Sequence, residues 1–127
     1  MSKTSISAGL LIYEALMSDE VIASLVTRVF PVVADTAELP YIVYRRASGE
    51  MHKHKSGVTA RSVNTLEVFC YAASYTDGVA LAEAVRGALD GVKITDGDIT
   101  LDSHLEDSSE DYTADAFVQQ LYFTISI

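Results

Sequence analysis

From Val63 the chain alternates with a period of two. Leu66, Val68, Cys70 and Ala72 fall on one side of a predicted strand, and Thr65, Glu67, Phe69 and Tyr71 on the other. Past Ala73 the period changes to about 3.6 residues, the repeat of a helix. Leu81, Val85, Ala88 and Leu89 then share one face, with Glu83 and Arg86 turned away from it. Ser74 or Thr76 suits the helix start, and Gly91 suits the left-handed position just beyond its end. A long strand thus feeds an amphipathic helix, and no catalytic-looking residue stands at the junction.

Elsewhere the pattern is shorter. Residues 7–17 predict a helix with Leu10, Tyr13, Leu16 and Met17 on one stripe. Ser18 and Asp19 interrupt it and cap a second short helix that would bury Val21, Ile22, Leu25 and Val26. Residues 28–33 are rich in β formers. Pro31 cannot donate a ladder hydrogen bond, so they predict an edge strand. Residues 35–38 form a loop. Pro40 to Ala47 predicts a strand on Tyr41, Ile42, Val43 and Tyr44.

Residues 48–57 break every pattern. Ser48, Gly49, Glu50, Met51, His52, Lys53, His54, Lys55, Ser56 and Gly57 carry a glycine near each end and a polar middle. They predict a long, mobile hairpin connection and a surface for contacting a neighbouring subunit or partner. Asp96 and Gly97 signal a turn. Ile99, Leu101 and Leu105 alternate with Thr100, Asp102 and His104 as a further strand, and the acidic residues 107–111 look like a turn. A last strand carries Phe117, Leu121, Phe123, Ile125 and Ile127 on one side. Two helices, three strands, a helix and two strands predict an α+β fold, with an antiparallel or mixed sheet and helices packed on one face.

The length of 127 residues fits a single domain spanning 1–127. Such a chain buries roughly two-thirds of its unfolded surface, enough for a core without staples. Cys70 is the only cysteine, which rules out an internal disulfide. Its place on the apolar side of a strand reads as a buried structural thiol, in keeping with a reducing cytosol. The net charge is −9, which argues against specific nucleic-acid binding and against docking on anionic membranes. No apolar run approaches the roughly 20 residues of a membrane-spanning helix, and the N-terminus lacks a signal-peptide apolar stretch.

Candidate chemistry is sparse. His52 and His54 are two apart, but Lys53 and Lys55 beside them would repel a cation and no third ligand is fixed nearby. His104 lies between Asp102 and Glu106, a base and orienter in principle. The alternation places them on one exposed strand face with no nucleophile, so a solvated stripe is the better reading. Asp102, Glu106, Asp107, Glu110, Asp111 and Asp115 form the densest charge cluster, yet without calcium-loop spacing. A solvated hairpin, or the acidic rim of an assembly, accounts for them. Phosphate-loop, CxxC, HExxH and GxSxG motifs are all missing. No catalytic residue, metal ligand or cofactor site is therefore assigned.

The layout as a whole resembles a known family. Its parts are the helix ending near Leu16, Met17, Ser18 and Asp19, then Val29, Phe30 and Pro31, and the Leu39 to Tyr44 strand. After a variable connection come the Leu66 to Phe69 strand, the Leu81 to Asp90 helix and the closing Gln120 to Ile125 strand. This is similar to the small tail-completion, or tail-terminator, proteins of long-tailed phages and prophages. The resemblance covers nearly the whole chain, with the LPYIVY segment and the strand-to-helix unit the most telling. It implies a structural virion protein, not an enzyme, that caps the tail tube as a hexameric ring of subunits. Its expected partners are copies of itself, the tail-tube protein and the head connector. It implies residence at the head-proximal end of the tail, and in the host cytoplasm during assembly. An acidic chain suits a bore that passes DNA without gripping it. The locally basic 48–57 segment fits an acidic neighbour or serves solubility alone. Two other readings remain: a head-completion or connector protein, and a small cytosolic enzyme using His104 with Asp102.

Overall fold

The computed structural model describes residues 5–34, 38–53, 59–97 and 99–127. A single 3-10 turn, Ser5–Ser7, leads into α1 (Ala8–Ser18), followed by α2 (Glu20–Leu25), β1 (Arg28–Pro31), β2 (Tyr41–Lys53) and β3 (Thr59–Ala72). Then come α3 (Tyr75–Leu89), β4 (Val92–Asp96), β5 (Ile99–Thr113) and β6 (Ala116–Ser126). The six strands form one sheet in the order β1-β2-β3-β6-β5-β4. β1 runs parallel to β2 and every other pair is antiparallel, so the sheet is mixed and the fold is α+β.

Register explains the core. Leu66 pairs with Phe123 and Val68 with Leu121, and all four are buried beneath the helices. Ile42 and Tyr44 extend that layer into β2, and Leu101 and Ile99 into β5. The helices supply Ala8, Leu11, Ile12, Leu16 and Ile22 from the N-terminal pair and Leu81, Val85 and Leu89 from α3. Alternation on β3 brings Leu66, Val68, Cys70 and Ala72 to this face, as the period of two requires.

Helix ends follow their local chemistry. Ile22 donates its backbone N–H to Asp19 Oδ1 at 3.0 Å, and Asp77 donates to Ser74 Oγ at 3.1 Å, so both caps sit at an N-terminus. Beyond α3, Gly91 adopts φ +68, where a Cβ would be strained. Leu81, Val85 and Leu89 are buried on the face that the 3.6-residue repeat marks.

Four expectations fail. In α1 the buried stripe is Ala8, Leu11, Ile12 and Leu16, while Leu10, Tyr13 and Met17 are exposed. The helix is apolar almost all round, so its sequence allows two stripes and packing selects one. In α2 only Ile22 is buried; Val21 and Leu25 face out. Val92–Asp96, assigned no element above, becomes the edge strand β4 through pairing with β5. Residues 107–111, expected as a turn, continue β5 as far as Thr113 because β6 pairs with them along their whole length. The expected loop 35–38 falls largely outside the described residues.

Candidate assembly surfaces

Two long hairpins leave opposite ends of the sheet. β3 pairs with β6 from Val63↔Ser126 to Ala72↔Phe117. Before Val63, among the described residues, β3 pairs with β2 alone, as far as Lys53↔Thr59. Past Phe117, the β5–β6 hairpin closes through Ala114 and Asp115, both at positive φ. Nine residues of strand separate Val63 from Ala72, about 30 Å of extended chain.

The first hairpin corrects the expected contact loop. Ser48, Gly49, Glu50, Met51, His52 and Lys53 are strand, paired from Ser48↔Thr65 onward, with register shifts after Arg46 and after His52. Nothing in their composition signals this, because polar residues with a glycine are poor strand formers and only the ladder to β3 holds them extended. His54, Lys55, Ser56 and Gly57 lie outside the described residues. Arg45, Arg46, Lys53, Lys55 and Arg61 place five of the chain's nine Lys and Arg residues here, against the single acid Glu50. At the root, Arg45 Nε donates to Glu67 Oε1 at 2.8 Å and Arg46 Nη1 to Asn64 Oδ1 at 3.2 Å.

The second hairpin is acidic. It bears Glu106, Asp107, Glu110, Asp111 and Asp115, and no Lys or Arg follows Lys93 in the chain. A bulge between Leu105 and Asp107 adds one residue to β5. Leu101 and Leu105 therefore share the helix-covered face with Ser108, Glu110 and Tyr112 across a change of parity. Since the ladder with β4 ends at the pair Val92↔Ser103, β5 beyond Ser103 has no second strand among the described residues, and side chains occupy some of its open N–H groups. Asp90 Oδ1 accepts from Leu105 N at 2.9 Å, Asp107 Oδ1 from Ser108 N at 2.8 Å and Asp111 Oδ1 from Tyr112 N at 2.7 Å.

The sheet face opposite the helices carries aromatic residues from four strands. Tyr41 stacks on Tyr71 with ring centroids 4.7 Å apart and 16° between planes, and Phe30 meets Tyr41 edge-on at 5.9 Å. Phe69 contacts Tyr122 edge-on at 6.4 Å, and the Arg28 guanidinium lies 5.2 Å from the Phe30 centroid. Tyr41, Phe69 and Tyr71, with Val32, Val33 and Arg45, line an open hollow of about 410 Å³. At its rim Val32 holds φ +68, a strained conformation for a β-branched residue, and donates its N–H to Tyr44 O at 2.7 Å. Sequence reading missed this surface because it tracked only the helix-facing set on each strand. The run of Phe69, Tyr71 and Tyr122 at positions expected to be polar was the available signal.

His104 Nε2 and Glu106 Oε1 are hydrogen-bonded, and both side chains are about half exposed. Asp102 lies 3.5 Å from Lys93 Nζ, so the structure gives the His104 ring to Glu106. Cys70 is fully buried, and burial pushes its thiol up to about 12, which leaves it without nucleophilic character at neutral pH. Among the described residues no His, Cys, Asp or Glu group could hold a metal ion, and no helix is long and apolar enough to cross a membrane.

The family model described as tail completion protein gp17 matches residues 11–127, nearly the whole chain. The protein belongs to this family. As a tail-completion protein it is a structural component of a phage-type virion. Among solved structures, a chain of the virion of a native gene transfer agent particle is similar in fold. Its TM-score is 0.73 at 20% sequence identity, with 98% of each chain covered. No curated protein sequence matches the chain. The α+β sheet with its two long hairpins is thus the fold of a tail-completion protein.

Proposed function

We propose that this tail-completion protein caps the tail tube as a ring of like subunits and presents the surface on which the head connector docks.

 The reading rests on family membership across residues 11–127. It gains support from the placement of the two hairpins. A ring repeats one heterologous contact, so each subunit needs two different surfaces on different sides. The basic β2–β3 hairpin and the acidic β5–β6 hairpin meet that need at opposite ends of one sheet. The aromatic face between them offers a third surface, of the rigid, amphipathic kind that interface cores favour. The net charge of −9 suits a collar through which DNA passes without being held.

The deciding experiment removes the protein from an otherwise complete particle and examines the products by electron microscopy. Tails of irregular length and unjoined, filled heads are expected, with the tagged protein found as a ring at the head-proximal end of complemented tails. Recovery of the protein on tail-less heads would favour a head-completion or connector role instead.

A further inference from the structure

At the outer end of the β5–β6 hairpin, three aromatic rings and two acids line an open cavity of about 210 Å³ that has no place in the core. Phe117 forms its middle. Tyr75, from the first turn of α3, meets Phe117 edge-on at 6.2 Å, and Tyr112 lies 4.9 Å from it on the neighbouring strand. Both tyrosines are at least half exposed, although rings of that size gain from burial. Glu110 completes the lining. Its Oε2 accepts from Tyr75 Oη at 2.9 Å and from Gln119 Nε2 at 2.8 Å. These two donors hold its carboxyl below the usual carboxylate range, so the group is ionised at neutral pH. Asp111 lines the same cavity.

Aromatic faces and a fixed carboxylate together select one kind of guest. A planar guanidinium or an ammonium group gains from the ring quadrupoles and from the charge, while its stem lies on the rings. An anion is repelled, and a neutral apolar group leaves the carboxylates without compensation. Among the described residues no Lys or Arg lines the cavity, and none follows Lys93 in the chain.

We infer that this cavity is a binding site for a basic side chain, and that its occupant is an Arg or Lys of the β2–β3 hairpin of a second copy. Charge complementarity carries the choice of partner. Residues 45–61 hold five Lys and Arg against one acid, and residues 94–127 hold eight acids and no Lys or Arg. The hairpins leave the sheet in opposite directions, so one copy cannot satisfy itself, and the contact runs head to tail. Arg61, the register partner of His52, and Lys53 lie on the part of the hairpin beyond the end of β6. This site deepens the ring reading, because it names one contact by which such a ring would close.

Two measurements on the full chain test it. The first titrates acetyl-arginine amide and its neutral counterpart acetyl-citrulline amide into the protein, followed by NMR. The arginine probe should shift the ring signals of Tyr75, Tyr112 and Phe117. Citrulline should leave them still, and Glu110→Gln should weaken the arginine response roughly tenfold, as loss of a charge-assisted contact implies. Equal response to both probes, or none to either, would overturn the site. The second mixes two variants, Glu110→Gln with Tyr112→Ala, and Lys53→Gln with Arg61→Gln, in analytical ultracentrifugation. Each alone should stay monomeric. The mixture should give dimers that grow no further, because only one good contact remains per pair. A mixture that stays monomeric while the arginine probe still binds would overturn the second copy as occupant. Rings that form unchanged on tails with the Glu110→Gln, Tyr112→Ala variant would overturn the contact and leave the ring itself standing.

Discussion

The Tyr44 hydroxyl donates to the backbone carbonyl of Gly9 at 2.9 Å, tying the second strand of the sheet to the first helix. Tyr44 is almost fully buried, and the Tyr13 ring lies 6.5 Å from it. Together with the buried stripe of α1, this bond ties the helix to β2. It helps to explain why the Leu11, Ile12 and Leu16 stripe, and not the Leu10, Tyr13 and Met17 stripe, faces the sheet.

Tyr44→Phe keeps the ring and removes the bond. It should cost about 1 kcal/mol in urea unfolding, with the Gly9 carbonyl left without its donor. An unchanged midpoint would show that the bond does not hold the helix.

Leu81 and Leu89 are buried on the sheet side of α3. Leu81→Ala or Leu89→Ala should each cost roughly 2–5 kcal/mol, through lost methyl burial and the cavity left behind. Losses below about half a kilocalorie in both, the range of a surface change, would contradict the packing.

Gly87 sits inside α3 on its exposed side, and a Cβ there would meet no atom within 4 Å. Gly87→Ala should raise stability by about 0.5–1 kcal/mol, because alanine loses less backbone freedom on folding. Thermal unfolding followed by circular dichroism would read the rise, and a fall would mean that this face is already covered.

Alkaline pH should weaken the fold. Burial raises the Cys70 thiol from 9.0 to about 12, and burial, then Tyr13, raises Tyr44 from 10.0 to about 12. A group whose pKa is higher in the folded state contributes fully below its unfolded value and loses that contribution as pH climbs towards the folded value. For Cys70 the window is pH 9 to 12, with a loss of roughly 1 kcal/mol by pH 10. Cys70→Ala should flatten the decline between pH 9 and 10 in denaturant titrations, and an identical slope in both proteins would refute the assignment.

His104→Ala should leave particle yield and infectivity unchanged, since the ring is half exposed and bonded only to the equally exposed Glu106 among the contacts described. A variant that forms normal particles yet loses infectivity would reopen an enzymatic role.

Much of this fold is legible where sequence carries its own local instructions. α3 announces itself through Ser74 at its cap, Gly91 past its end and a clear apolar face, and the structure keeps all three. β3 does so through strict alternation from Leu66 to Ala72. The basic character of residues 45–61 and the acidic character of the C-terminal third are equally plain in the chain. The candidate cavity was not legible, because Tyr75 is separated from Tyr112 and Phe117 by most of a helix and two strands. Only the placement of α3 against β6 brings their rings together.

The sequence by itself determined the α+β class, the helix ends, the helix-facing set on β3 and the absence of any recognisable catalytic motif, because each depends on residues close together in the chain. Tertiary structure alone decided the buried stripe of α1, the existence of β4 and the extension of β2 and β5 through polar residues. Pairing across strands satisfies the backbone of residues 48–53 and 107–113 whatever their side chains prefer, and a ladder partner many residues away cannot be read from local propensity.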